Sequence, residues 1–425
     1  MNILILSPYP PYPPYGGGAM RIYQIIRGLA ARHAVTCLTF VPDAAAEQAL
    51  APLHAICRLL AVRGPPPRSP LRRAMTTLMS PLPDMALRNA SHAYFKILRQ
   101  LLHDERFDIV QAESIEMAGY LRVLSAEYKV LSSAHNSQLT THNSQLVLDQ
   151  FNAEFALQRR AFLTDLRRPR RWHAAGYSLA QWLKLARHER QVMRHCDAVV
   201  AVSEEDRRTL QRLAPHVPIG VVPNGVDTAH FSRAAVAHER AGPFALHNAT
   251  LVFSGTLDFR PNIDAVTWFV REVLPRIQAR QPDVRLMVVG RRPAPALRAL
   301  AAAGALTLTG EVPDARPYIA GAAAYVVPMR IGGGVRLKLL EALALEAPVV
   351  STSMGAEGVA GLHSGEHCLL TDDPAEFAGA MLRLLGDPAL GRRLGAAGRA
   401  LVRGSYDWSA IVPQLEALHA QLCGD

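Results

Sequence analysis

Lys338 and Glu341 are the two residues of this chain whose types and spacing point most directly to chemistry. They lie three positions apart in an apolar segment, so a helix there would place both on one face. Three consecutive glycines, Gly332, Gly333 and Gly334, precede them and allow a ligand to approach the backbone closely. The amides that begin such a helix favour an anion. A lysine suits a diphosphate and a carboxylate suits vicinal hydroxyls, so the segment predicts a nucleotide-diphosphate site.

The elements that position these residues read as strand, glycine loop, helix and strand. Apolar runs at 325–329 and 347–351 flank the loop and helix. In open parallel sheets, ligands bind at the carboxyl ends of the strands, which is where the glycines occur. The alternative is a glycine loop that serves packing, with a solvated lysine–glutamate pair. The site interpretation is favoured because a carboxylate on an apolar helix face needs a partner.

The composition indicates a folded protein of two or three domains. The chain has 425 residues, of which 49% are hydrophobic and 19% charged. Its 5 cysteines are far apart and form no Cys-x-x-Cys motif, which favours a reducing compartment over a disulfide framework or a structural zinc site. Residues 2–6 read as a buried strand and not as a leader, and apolar runs stay below the roughly 18 residues of a membrane span. We therefore expect a cytoplasmic protein.

The net charge of +10 is concentrated in the segment 159–194. Trp172, Tyr177 and Trp182 are interleaved there with arginines. A basic helix with aromatic residues can lie on an anionic membrane, so the segment predicts a peripheral contact with the inner face of the plasma membrane. The alternative is a solvated helix whose tryptophans pack in the core. Nucleic-acid binding is not expected, because no basic and aromatic stacking module is recognisable.

Short apolar strands, glycine loops and amphipathic helices alternate along both halves of the chain. This pattern predicts an α/β protein with two doubly wound Rossmann-like domains, at 1–226 and 250–405, joined by a linker at about 228–249. A repeat of His-Asn-Ser-Gln-Leu at 135–146 is too short for a solenoid and is interpreted as a solvated insertion, in which His135 and His142 are weak candidates for chemistry.

Four motifs in order resemble one family. They are Gly16-Gly17-Gly18 after the first strand, Val202-Ser-Glu204 with Val222-Pro-Asn-Gly-Val-Asp227, Phe253-Ser-Gly-Thr-Leu-Asp-Phe-Arg-Pro-Asn262, and the 332–341 unit followed by Pro348-Val-Val-Ser351. Over nearly its whole length the chain resembles the retaining glycosyltransferases of family four, which have the GT-B architecture. Within them it is similar to the subgroup of bacterial exopolysaccharide gene clusters, sometimes called PEP-CTERM-associated sugar transferases.

This resemblance implies that two Rossmann-like domains face each other across a cleft, with a nucleotide-diphosphate sugar on the C-terminal one and the acceptor on the other. The terminal segment 406–425 would pack back on the first domain. Catalytic roles would fall to Glu341 at the ribose, Lys338 at the diphosphate, and Asn152. The implied substrate-binding residues are Gly16, Gly17, Gly18, Gly255, Arg260, Asn262, Val312, Arg330, Gly332, Gly333, Gly334, Val335, Arg336, Lys338 and Glu341.

The chain departs from the family pattern at three places. Many members carry a glutamate at the position of Gly333, and many have Gly-Arg where Gly255-Thr256 stands here. The subgroup usually has a histidine where this chain has Phe151. Arg336 or Arg260 would supply the missing positive charge near the donor.

The reaction that the resemblance implies needs donors fixed around a leaving diphosphate. The sequence shows no Asp-x-Asp motif, so we expect metal-independent transfer with no cofactor besides the nucleotide-sugar co-substrate. A glycan or polyprenol-diphosphate-linked acceptor would fit a basic membrane surface. Three alternatives stay open: a nucleotide-sugar epimerase, a dinucleotide-dependent oxidoreductase, and a nucleotide-sugar-binding scaffold without activity.

Overall fold

The computed structural model describes residues 1–65, 68–133, 144–167, 169–236, 249–332 and 334–424, without the side chains of 127–133 and 170. His135, His142 and Gly333 therefore lie outside the described residues, as does most of the predicted linker. The chain forms two compact units. Unit 1 comprises Met1–Pro223 and Val412–Asp425, and unit 2 comprises Asn224–Ile411.

Unit 1 is built on a parallel sheet with the strand order β3-β2-β1-β4-β5-β6-β7 in the described chain. The central strands are buried on both faces, as is typical of parallel sheets, whereas the edge strands β3 and β7 are only partly buried. They are β1 Asn2–Ser7, β2 Ala34–Val41, β3 Arg58–Arg63, β4 Ile109–Glu113, β5 Gln145–Gln150, β6 Ala198–Ala201 and β7 Ile219–Val221.

Helices pack around this sheet and connect successive parallel strands. The first begins at Gly17, directly after Gly16 of the predicted glycine loop. The helices are α1 Gly17–Leu29, α2 Ala44–Ala49, α3 Pro70–Met79, α4 Asp84–Arg88, α5 His92–Asp104, α6 Ala118–Ser133, α7 Glu154–Leu166, α8 Trp172–Met193 and α9 Glu204–Leu213, with 3-10 turns at Ala51–Ala55 and Pro169–Arg171.

Unit 2 has its own parallel sheet, with the order β10-β9-β8-β11-β12-β13 in the described chain. Its core is a single cluster of aliphatic and aromatic side chains on both sides of the sheet. The strands are β8 Thr250–Ser254, β9 Arg285–Val289, β10 Thr307–Gly310, β11 Ala324–Val327, β12 Val349–Ser351 and β13 Leu369–Leu370.

The helices of unit 2 complete the doubly wound pattern, and the predicted α/β fold class is confirmed. A π-helical turn at Phe269–Val273 joins α11 to α12, and the predicted linker contains the short helix α10. The helices are α10 Arg233–Val236, α11 Arg260–Trp268, α12 Leu274–Gln278, α13 Pro295–Ala302, α14 Arg316–Ala320, α15 Leu337–Ala344, α16 Ser353–Ala356, α17 Pro374–Gly386, α18 Pro388–Ser405 and α19 Trp408–Cys423. Helix α19 begins in unit 2 and ends in unit 1.

The strand order of unit 2 fixes where a ligand can bind. The chain runs outward from β8 through β9 to β10, and then returns to the other side of β8 with β11. The connections after β8 and β11 therefore diverge and leave a crevice at the carboxyl ends of these two strands. The loop after β8 begins at Gly255, and the loop after β11 contains Gly332 and Gly334.

None of the described helices has the length and apolar content needed to cross a membrane. The five cysteines, all within the described residues, are free thiols.

Candidate functional site

Helix α15 presents Lys338 and Glu341 beside the crevice of unit 2. Its first residue is Leu337, directly after the glycine loop, and its N-cap residue Arg336 makes no side-chain capping bond. Leucines and alanines on the other faces of α15 are buried in the core of unit 2 and anchor the helix. The backbone amides of Leu337 and Lys338, at the start of the helix, are consequently available to an anion, whereas the Leu339 amide donates to the Arg336 carbonyl.

Lys338 and Asn262 form the centre of the site. The Lys338 ammonium donates a hydrogen bond to Asn262 Oδ1 at 2.9 Å, and Asn262 Nδ2 donates to the Thr256 carbonyl at 2.8 Å. The same ammonium lies 3.9 Å from the centroid of the Phe253 ring, within the range of a cation–π contact. Residues from α11 and α15, which follow β8 and β11, thus meet at the switch point of the sheet.

Gly255 brings the backbone directly against this pair. Its φ is +148°, and a Cβ atom at this position would stand 2.9 Å from both Lys338 Nζ and Asn262 Nδ2. Gly290, which sequence analysis did not single out, makes the neighbouring close approach, because a Cβ there would lie 1.8 Å from the Gly255 carbonyl oxygen. Both glycines let two strand ends and one lysine converge within a small volume.

Burial brings the two ionisable groups of α15 close to neutrality. It lowers the pKa of Lys338 to about 7, while Glu341 acts in the opposite direction and Arg336 adds to the lowering. Burial also raises the pKa of Glu341 to about 7, against the effect of Lys338. Both side chains remain half-buried, so the surrounding protein excludes most water without closing the groups off. An anionic ligand would restore the charge on Lys338.

Arg336 lies under the glycine loop. A Cβ at Gly332, whose φ is +137°, would stand 2.6 Å from the Arg336 guanidinium. The guanidinium also lies 3.7 Å from Met354 Sδ and 4.0 Å from the Glu357 carboxylate. Gly332 therefore gives the loop room to cross an arginine that is held from the other side.

The other predicted donor-site residues of unit 2 are spread more widely. Arg330 is engaged by Asp264 through two hydrogen bonds of 2.9 and 3.1 Å and lies 5.5 Å from the Trp268 ring centroid. Arg260 is the first residue of α11, and Val335 is buried beside Gly334. Val312 follows β10, two strands away from the switch point, and is half-buried against the core.

In unit 1, the predicted glycine loop opens α1. Gly16 has a φ of +90° and is the N-cap residue, and Gly17 is the first helical residue. A Cβ at Gly18 would stand 1.8 Å from the Tyr9 hydroxyl and 3.1 Å from the Phe151 ring. Phe151, at the family's histidine position, therefore packs against this glycine loop.

Asn152 lies at the carboxyl end of β5, where it donates a hydrogen bond of 3.1 Å to Glu154 Oε1. Burial raises the pKa of Glu154 to about 7, although Asn152 lowers it. Glu189, which is fully buried, accepts from the Phe155 amide at 2.9 Å, and burial raises its pKa. Asn152 thus borders a group of acids with raised pKa values.

A buried ion pair in unit 1 was missed from the sequence. Arg21 on α1 makes two hydrogen bonds of 2.8 and 2.9 Å to Asp149 on β5, and a third of 3.1 Å to the Pro223 carbonyl. Glu113, opposite Asp149 in the sheet register, is also fully buried, and burial together with Asp149 raises its pKa. The sequence feature that could have indicated this buried group is an acidic residue near the end of each of two apolar strands, β4 and β5.

Among the described residues, no group of three or more His, Cys, Asp and Glu side chains is arranged to hold a metal ion.

Two family models match the chain. One, described as Glycosyltransferase Family 4, matches residues 15–230, and a second, described as Glycosyl transferases group 1, matches residues 248–387. The first spans half of the chain and the second covers the crevice described above.

Curated relatives share part of the sequence. Phosphatidyl-myo-inositol mannosyltransferase of Mycobacterium tuberculosis is 32% identical over 213 residues, which is 48% of this chain and 54% of that protein. The Propionibacterium freudenreichii protein of the same name is 28% identical over 268 residues, 61% of this chain and 65% of that protein. An uncharacterised protein of the cps region of Klebsiella pneumoniae is 31% identical over 143 residues, 32% of this chain and 37% of that protein. The chain thus spans about half the length of the curated relatives it matches.

Solved structures share the fold. Sucrose-phosphate synthase of Thermosynechococcus elongatus has a TM-score of 0.68 and 18% identity, with 100% of both chains covered. Anabaena HepE in complex with UDP has a TM-score of 0.64 and 14% identity, covering 99% of this chain and 100% of that one. The two sheets, the glycine loops and the matched family model together assign this chain to glycosyltransferase family 4, with the GT-B fold.

Proposed function

We propose that this protein transfers a sugar, with retention of anomeric configuration, from a nucleotide-diphosphate sugar to a glycan or a lipid-linked acceptor. The observation that carries the proposal is the convergence of Lys338, Asn262 and the bare backbone of Gly255 at the switch point of unit 2. A cation, an amide and an open backbone at the end of two parallel strands suit a diphosphate.

Each group has a role that follows from its chemistry. When the bond between the anomeric carbon and the diphosphate breaks, negative charge grows on the leaving oxygen, and Lys338 with the first amides of α15 would stabilise it. Glu341 lies one turn further along α15 and would accept hydrogen bonds from the ribose hydroxyls. Its raised pKa of about 7 fits a carboxylate that waits for such donors.

The relatives support a nucleotide-sugar donor and a role in the synthesis of cell-surface polysaccharide. HepE of Anabaena has been solved with UDP and with UDP-glucose, and the curated relatives include mannosyltransferases. The Klebsiella relative is encoded in a cps region. We infer that the acceptor belongs to exopolysaccharide or cell-surface polysaccharide synthesis, as the subgroup resemblance implies, and that the protein works in the cytoplasm.

Calorimetry with UDP, GDP and ADP tests the donor site. We expect one nucleotide to bind the wild type, and Glu341→Ala to weaken it by about 10- to 100-fold, since hydrogen bonds to a charged carboxylate are lost. Glu366→Ala is the matched control, because Glu366 is a largely exposed carboxylate of the same unit. Failure of the three nucleotides to bind the wild type would rule out this donor site.

Turnover tests the rest of the proposal. With the donor identified, transfer to a lipid-linked acceptor should continue in excess chelator, and NMR should show the donor's anomeric configuration in the product. Loss of transfer on chelation would show that a metal is needed. Nucleotide binding without transfer to any lipid-linked or glycan acceptor would favour the scaffold alternative instead.

A further inference from the structure

Helix α3 exposes its apolar face to solvent, whereas an ordinary surface helix buries that face against the core. Its apolar side chains follow the spacing of one helix face, yet they point to solvent: Leu71, Met75, Leu78 and Met79 are 73%, 52%, 86% and 80% exposed. None of the side chains of this helix, Pro70–Met79, is buried, and only Thr76 and Thr77 are partly covered. An amphipathic helix normally buries such a stripe, so α3 leaves uncovered the surface that usually holds a helix in place.

Polar contacts hold α3 on the protein instead. Lys184 of α8 donates a hydrogen bond of 2.5 Å to the Thr77 carbonyl, and Gln181 Nε2 lies 3.5 Å from the Thr77 hydroxyl. Arg73 makes a hydrogen bond of 3.3 Å to the buried Asp84. The face that turns toward unit 1 is therefore the polar one, and the apolar face is left for a partner.

A cavity of about 510 Å³ lies between α3 and α8, beside this apolar face. Ala74, Leu78 and Ala180 contribute to its lining, and Arg73 and Tyr177 supply its polar groups. The wall of this cavity is mainly apolar, which suits a hydrocarbon chain more than a polar ligand.

The charge of the surrounding chain selects the kind of partner. The sequence has no Asp or Glu between Glu47 and Asp84, whereas five arginines occur there, at 58, 63, 68, 72 and 73. Arg72 is exposed on α3 itself. The other four arginines form ion pairs, with Glu47, Asp84 and Glu105. An exposed arginine on a helix with an apolar stripe suits a helix that lies in the plane of an anionic membrane.

We propose that α3 inserts its apolar face into an anionic lipid bilayer, and that the cavity between α3 and α8 accepts a lipid chain. This proposal extends the proposed function, because it names the surface on which the protein would meet a lipid-linked acceptor. Only the identity of that acceptor rests on the proposed function. It also moves the main membrane contact from 159–194 to 70–79. In the former segment Trp182 stacks on Phe162 at 6.1 Å, while Trp172 is 62% exposed.

Co-sedimentation of the full chain with vesicles tests the proposal. Vesicles of phosphatidylglycerol with phosphatidylethanolamine should bind it, vesicles of phosphatidylcholine should bind it far less, and high salt should weaken binding. Leu78→Gln with Met79→Gln should reduce binding to the anionic vesicles by at least about tenfold, because two inserted apolar side chains are lost. The change should leave thermal stability intact, since both side chains lie in solvent.

Two further variants make the result specific. Val123→Thr, on α6 of the same unit, alters an apolar side chain that is 37% exposed and should bind vesicles like the wild type. If Trp172→Gln abolished binding while the α3 variant bound normally, the contact would belong to 159–194 and the proposal would fail. Absence of binding to anionic vesicles at low salt would overturn it as well.

Two other readouts separate the remaining explanations. A concentration-dependent dimer in lipid-free sedimentation velocity, abolished by the α3 variant, would mean that a second copy covers the helix and would overturn the lipid assignment. Nucleotide calorimetry on the α3 variant should match the wild type, since the donor-site residues belong to unit 2. If the α3 variant loses lipid binding and keeps nucleotide binding, the membrane proposal is supported. If the wild type binds lipid but no nucleotide, the proposed function alone is contradicted.

Discussion

Gly255 shows at the scale of one residue how a missing side chain creates a site. A Cβ would stand 2.9 Å from the Lys338 ammonium and from the Asn262 amide, at a φ of +148°. We expect Gly255→Ala to displace both groups, weaken nucleotide binding by about tenfold or more, and cost about 1–3 kcal/mol of unfolding free energy. Calorimetry and urea denaturation measure the two effects separately.

The matched control is Gly304→Ala in the same unit. Gly304 also has a positive φ, +75°, but a Cβ there would meet no atom within 4 Å. It should show a similar loss of stability from backbone strain with unchanged nucleotide affinity. If the two variants lost affinity equally, strain and not obstruction of the site would be the cause at Gly255.

Glu341 is expected to reduce stability in exchange for function. Its pKa is raised to about 7 in the folded state, from an ordinary value near 4.5. The folded protein therefore holds the proton more tightly, and the resulting stabilisation is complete below about pH 4.5 and is lost as the pH rises through 7. Glu341→Gln should match the wild type at pH 4.5 and exceed its unfolding free energy by about 2–3 kcal/mol at pH 8.

Urea denaturation of both proteins across this pH range measures the difference. Glu366→Gln, which alters a carboxylate that is 63% exposed, should show no such pH-dependent gain. A difference between Glu341→Gln and wild type that stayed constant with pH would mean that folding does not raise the pKa of Glu341. The same variant should bind nucleotide more weakly, which is the usual trade between stability and a functional site.

At the scale of elements, the Arg21–Asp149 pair joins α1 to β5. Both side chains are almost fully buried, so removal of one leaves an uncompensated charge in the interior of unit 1. We expect Arg21→Met to cost about 3–5 kcal/mol of unfolding free energy, and Arg21→Met with Asp149→Leu to recover much of it. Urea denaturation of these two variants and of Asp149→Leu alone gives the coupling free energy of the pair.

An exposed ion pair provides the comparison. Arg58 and Glu105 pair with side chains that are 52% and 36% exposed, so Arg58→Met should cost less than about 1 kcal/mol. If Arg21→Met lowered the unfolding free energy as little as Arg58→Met, water would have to reach Asp149, and the pair would not stabilise the packing of α1 on the sheet.

The elements themselves were predictable from the sequence where their signal is local. Continuous apolar runs such as Ile3–Leu6 gave the parallel strands, because a strand covered on both faces has no polar positions. Lys338 and Glu341 were found because one turn of helix separates them. Arg21 and Asp149 were missed because they lie 128 positions apart, and no local pattern links them.

Helix α3 was missed for a different reason. Its apolar spacing is that of any amphipathic helix, and spacing does not say whether the stripe faces a core or a membrane. The orientation of the helix depends on the contacts that anchor it, which here run from Lys184 and Gln181 to Thr77. Such contacts are set by tertiary packing and leave no local sequence pattern. The aromatic and basic signal at 159–194 was conspicuous in the sequence, although part of it, Trp182, is occupied by stacking.

At the scale of the whole molecule, α19 divides its residues between the two units. Trp408–Ile411 belongs to unit 2, and the chain from Val412 onward belongs to unit 1. In unit 1, Val412 and Leu418 fill the spaces that Gly28 and Gly220 leave open. His419 is fully buried and pairs with Gln111 Oε1 at 2.8 Å, and Leu415 is fully buried as well.

Deletion of 412–425 should therefore weaken unit 1 and spare the donor site. Each of three or four apolar side chains contributes about 1.5–3 kcal/mol by burial, so we expect the loss of several kcal/mol or of a cooperative transition of unit 1. Nucleotide affinity should stay within about threefold of wild type, since Lys338, Asn262 and Glu341 belong to unit 2. Sugar transfer should be lost, because the unit expected to hold the acceptor would no longer be ordered. Removal of residues 424 and 425 alone is the control and should change neither property; a longer deletion that abolished nucleotide binding would show that the donor site depends on unit 1.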